Sequence, residues 1–111
     1  MDRHTFLFLY HFCLQWPEML NRLQELEEDH SPAADDERKQ IRAYMARIRS
    51  TAEEASPIHA KIILQAVTTE GFTFEQIQAE DPPCTSGQFH SMLRRFYWLL
   101  SQKKLITFRN P

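Results

Sequence analysis

Four short stretches of this sequence carry the chemistry of a helix start, and their spacing leaves little room for anything but helices. Ser31-Pro32 and Ser56-Pro57 each join a hydroxyl that accepts an unpaired N–H to a proline whose fixed φ suits the first helical position. Thr73 with Gln76, and Thr85 with Gln88, have capping-box spacing, in which each side chain bonds the other's backbone N–H. Apolar residues follow each start at three-and-four spacing. The sets are Ile41, Tyr44, Met45, Ile48 and Ala52; Ile58, Ile62, Ile63, Ala66 and Val67; Phe74 and Ile77; and Phe89, Met92, Leu93, Phe96, Leu99 and Leu100. The pattern predicts helices over residues 32–55 and 57–70, a short helix opened by Thr73, and a long helix from Ser86 to Gln102. Gly71 supplies a left-handed residue at the end of the second helix, and Asp81-Pro82-Pro83 breaks the third. Leu105-Ile106-Thr107-Phe108 has strand composition.

Upstream, Phe6, Leu7, Phe8, Leu9, Tyr10, Phe12, Cys13 and Leu14 make a helix over residues 4–15 that is apolar almost all round and must be covered on more than one side. Pro17 starts a second helix after a break at Trp16. Its stripe is Met19, Leu20, Leu23 and Leu26, and Glu25, Glu27, Glu28 and Asp29 make the other face acidic. Residues 32–55 expose Arg38, Lys39, Arg42, Arg47 and Arg49, five cations that can meet that acidic face, their nearest complement, or a phosphate backbone. With two glycines against six prolines in 111 residues, a turn-dense sheet protein is excluded, and 42% hydrophobic residues suffice for a core. The expected fold is all-α or mostly α, with an N-terminal helical segment at residues 1–55 and a three-helix unit at residues 56–111.

Helix, short helix, turn, long helix and strand, in that order, resemble the winged helix-turn-helix superfamily. The residues that carry the resemblance are Ile62, Ile63, Val67, Gly71, Phe74, Ile77, Phe89, Leu93, Leu100 and Ile106. Only Arg109, Asn110 and Pro111 follow Phe108, so the expected wing is truncated. The resemblance implies a small transcription regulator that binds duplex DNA through the helix from Ser86 to Gln102. Ser86, Gln88, His90, Ser91 and Arg94 would face base edges, and Arg95, Lys103, Lys104 and Arg109 would contact phosphates. Charge is divided in the same sense: residues 1–56 carry seven Lys+Arg against eleven Asp+Glu, a balance of −4, and residues 57–111 carry six against four, a balance of +2.

A second reading is a protein-binding module on a winged-helix scaffold, an antirepressor or an inhibitor that masks a DNA-binding or nuclease protein. It draws on the truncated wing, the net charge of −2 and the aromatic surplus. Small proteins of phages and mobile elements resemble this chain in size and composition. Phe6, Leu9, Tyr10, Phe12, Trp16 and Trp98 are the candidate dimer or partner interface; a homodimer would cover the apolar excess of the first helix, whereas burial in the chain's own core is the simpler use. No His or Cys pair has metal-ligand spacing, no glycine-rich phosphate loop is present, and Cys84, after two prolines, reads as a loop residue rather than a nucleophile. No enzyme activity, metal or cofactor is expected. Cys13 and Cys84 suit a reduced cytoplasmic protein, and the apolar run of the first helix is too short to span a membrane.

Overall fold

In the computed structural model of the protein, residues 1–77 and 83–103 are described. They form five α-helices and one 3-10 turn: α1 (Arg3–Cys13), α2 (Trp16–Glu25), α3 (Pro32–Ala55), α4 (Ala60–Thr68), the 3-10 turn Phe74–Gln76, and α5 (Ser86–Ser101). No strand occurs among the described residues. The break Asp81-Pro82, the strand expected at 105–108, and Lys104 and Arg109 lie outside them.

The starts form by the chemistry that marks them. Ser31 Oγ accepts from Ala34 N at 3.2 Å with Pro32 at the first helical position. At α5, Thr85 Oγ1 accepts from Gln88 N at 3.1 Å and Gln88 Oε1 accepts from Thr85 N at 2.8 Å, a complete capping box. Asp2 Oδ1 caps α1 by accepting from Thr5 N at 2.7 Å. Two expectations are corrected. The helix expected over residues 57–70 spans only Ala60–Thr68, because Pro57 heads a turn instead. Ser56 is extended, His59 N donates back to Ser56 O at 3.2 Å, and Ile58 is left 68% exposed. The chain leaving α3 must reverse at once, and a turn does this where a straight helix would not. The box at Thr73 closes only one 3-10 turn, with Thr73 N donating to Gln76 Oε1 at 2.7 Å.

The 24-residue α3 is the spine. Ala34, Ile41, Met45, Ile48 and Ala52 are buried along one side of it, and it packs against α5, α4 and α2, while α1 lies against α5 and α4. One apolar cluster joins Leu9, Phe12 and Cys13 of α1 to Met19, to the α3 stripe, to Ile63 and Val67 of α4, and to Phe96, Tyr97 and Leu100 of α5. Of the stripe expected in α2, Met19 and Leu26 are buried, while Leu20, turned away by one residue, is exposed. Phe89 sits beneath the 3-10 turn with Phe72 and Phe74 around it, at ring separations of 6.2 and 5.8 Å.

Pairing between α2 and α3 runs opposite to the expected sense. Arg22 of α2 binds Glu37 of α3 through two bonds, 2.6 and 2.9 Å, and holds that carboxyl below its usual range. Arg38 turns back to the carbonyls of Leu26 and Asp29, satisfying the end of α2, and pairs with Asp35 on its own helix. The Arg49 guanidinium stands 5.4 Å over the ring of Trp16.

Candidate functional site

The sequence of α5 divides its surface. Phe89, Phe96, Tyr97 and Leu100 face inward, and His90, Arg94 and Trp98 follow one another at i, i+4 and i+8 along one exposed edge. This edge borders an apolar groove of about 570 Å³. Phe6 and Tyr10 of α1 form one wall, Ala66 and Val67 of α4 with the following turn through Gly71 and Phe72 form the second, and Leu93, Tyr97 and the edge residues of α5 form the third. Phe6 stacks on Tyr10 at 5.9 Å and meets Tyr97 edge-on at 5.1 Å, so the floor between α1 and α5 is aromatic. Gly71 has φ +71°, which a side chain rarely adopts, and it turns the chain off the groove's rim. Trp98 remains 51% exposed at the lip.

Two residue sets that the sequence suggests for different purposes therefore meet at one place. Phe6, Tyr10 and Trp98 come from the expected partner interface, and His90 and Arg94 from the expected base-reading set. The rest of the interface set lies elsewhere. Leu9 and Phe12 are buried in the chain's own core, and Trp16 is half-buried under Arg49. Phe8, 45% exposed, borders a second apolar recess on the opposite side of α1, with Leu7, His11 and Tyr44.

Several residues expected to touch DNA are already engaged. Gln88 spends its carbonyl oxygen on the capping box, whereas bidentate recognition of adenine needs both the oxygen and the nitrogen of that amide. His90 Nδ1 lies 2.8 Å from Ser86 O, so that nitrogen donates to the backbone. Ser86 Oγ lies 3.4 Å from the same ring nitrogen. Lys103 crosses to α3, donating to Glu54 Oε1 at 2.6 Å and to Thr51 Oγ1 at 2.7 Å, and only 20% of its side chain is exposed. That bond, with the one Thr51 donates to Arg47 O, satisfies a hydroxyl that is fully buried. Ser91, Arg94 and Arg95 are exposed, and neither arginine forms an ion pair among the described residues.

The helical spacing marks Ala66 and Leu93 only as core positions, and nothing local marks Phe72, so the sequence does not single out these three lining residues of the groove. The one local signal is the pair Tyr97-Trp98, which widens the apolar arc of α5 beyond what one packed stripe requires. No helix among the described residues is long and apolar enough to cross a membrane. In comparison with known proteins, no family model matches the chain, and no curated protein or solved structure matches it.

Proposed function

We propose that the chain is a protein-interaction module whose receiving surface is the groove between α1, α4 and α5. The observation that carries this reading is Trp98, half exposed at the lip of a groove with an aromatic floor. Tryptophan is enriched among the residues that dominate protein interfaces, because it removes a large apolar area from water at a small cost in side-chain entropy. A surface tryptophan beside a preformed recess gives a partner both a ridge and a slot. In this reading the chain acts by covering a partner, in the manner of an antirepressor or a nuclease inhibitor.

A second reading, duplex DNA binding through α5 of a winged-helix-like unit, is favoured by Ser91, Arg94 and Arg95, which point outward with no ion pair to the arginines among the described residues. The commitments of Gln88 and Lys103 weigh against it. Fluorescence anisotropy of labelled random-sequence duplex DNA at two salt concentrations separates the two. The interaction-module reading predicts no micromolar, salt-sensitive binding. Such binding would overturn it, provided that the Arg94→Ala/Arg95→Ala double variant weakens it and the slope of log affinity against log salt shrinks by about 0.9 for each phosphate no longer neutralised.

A further inference from the structure

We infer that the occupant of the groove is an amphipathic helix of a partner protein, with apolar residues on one face and a carboxylate on that face's edge that pairs with Arg94. The inference rests on the interaction-module reading and adds the partner's chemistry to it.

Charge points to the anion. Arg94 is the one permanently charged side chain lining the groove among the described residues, and no carboxylate of those residues lines it. Arg94 has no ion-pair partner among the described residues. An occupant that covers the groove also takes the guanidinium out of water, which is unfavourable unless the occupant brings an anion within reach. A carboxylate answers the guanidinium fork through two parallel bonds and so also fixes the register of the bound segment.

Backbone chemistry points to the helix. Most of the groove's wall is helix, whose N–H and C=O groups are bonded within themselves, the turn through Thr69, Gly71 and Phe72 being the non-helical part of its rim, and no strand edge exists among the described residues. An extended peptide would bring its own backbone donors and acceptors against apolar helical walls that cannot satisfy them. A helix satisfies its backbone internally and presents only side chains. The edge from His90 through Arg94 to Trp98 spans eight residue steps of α5, about 12 Å at 1.5 Å per step, the length of about two helical turns. Anchors at i, i+4 and i+7 on a partner helix match that length.

The test is a sorted library of displayed helical peptides, randomised at the apolar and flanking positions, with the labelled full chain as bait. Trp98→Ala, Arg94→Gln and Arg94→Glu variants, each checked for folding by circular dichroism, are sorted in parallel. The inference predicts that wild type enriches Asp or Glu next to the apolar stripe, that Trp98→Ala weakens the selected peptides at least about tenfold, and that Arg94→Glu enriches Lys or Arg at the same position. Peptides that depend on Trp98 but show no acidic preference would overturn the charge inference and leave the groove reading standing. Failure to enrich any peptide sensitive to Trp98→Ala would overturn both. Micromolar dimers in sedimentation equilibrium that dissociate in Trp98→Ala would make a second copy of the chain the occupant and overturn the inference.

Discussion

Alkaline pH should weaken this fold through Cys13. The thiol is fully buried between α1 and the rest of the core, and that burial pushes its pKa up to about 12. In the unfolded chain a thiol titrates near about 8.5. Below that value both states hold the proton and the group is silent. Above it the unfolded chain releases the proton while the folded chain keeps it, so stability falls as pH rises and goes on falling until the folded value is reached. At about pH 10.5 the unfolded thiol is about two units past its pKa, and at about 1.36 kcal/mol per unit the loss is about 3 kcal/mol. The Tyr97 hydroxyl, also raised by burial, acts in the same direction at higher pH. With a urea slope of about 1–3 kcal/mol/M for a domain of this size, the unfolding midpoint should drop by about 1–3 M between about pH 8 and about pH 10.5. The Cys13→Ala variant should start less stable at pH 8 and decline less steeply. Equal declines in the two proteins would refute the placement of α1 in the chain's own core. A thiol reagent at pH 8 gives a companion readout: the half-buried Cys84 reacts at once, and Cys13 reacts only as fast as the fold opens.

Other consequences follow from the same packing. Phe96→Ala leaves a cavity where the ring is fully buried, and should cost about 3–5 kcal/mol, a melting temperature lower by more than about 12 °C. Thr85→Ala removes half of the α5 capping box and should cost about 1 kcal/mol in urea unfolding, with Thr85→Ser restoring most of it. A double-mutant cycle on Lys103 and Glu54 should give a coupling of about 0.5–1 kcal/mol that shrinks at high salt, since the Glu54 carboxylate is 52% exposed.

Helix positions were legible wherever the deciding chemistry is local. The caps Ser31 and Thr85 satisfy backbone groups within three residues of themselves, so α3 and α5 begin where the sequence places them. Ser56-Pro57 carries the same signature and begins a turn, because what decides there is the direction the chain must take after α3, and no neighbouring residue encodes that. The engagement of Lys103 was hidden for a related reason: its partners Thr51 and Glu54 are 52 and 49 residues away in the chain. The groove was legible by halves. Spacing puts His90, Arg94 and Trp98 on one edge of α5, and the aromatic excess of α1 calls for cover. That Phe6 and Tyr10 stop beside Tyr97 and leave a recess, instead of sealing it, depends on the register between α1 and α5, which only their packing on α3 and α4 determines.

The most direct test of the groove as the receiving surface is an amide and indole chemical-shift titration of the isotope-labelled chain with the tightest peptide from the helix selection. The indole N–H of Trp98 and the amides around Phe6, Phe72 and Leu93 should shift together at one affinity. Shifts confined to Leu7, Phe8 and His11, or to Ser91 and Arg95 on the polar face of α5, would contradict that placement, because the partner would then sit outside the groove.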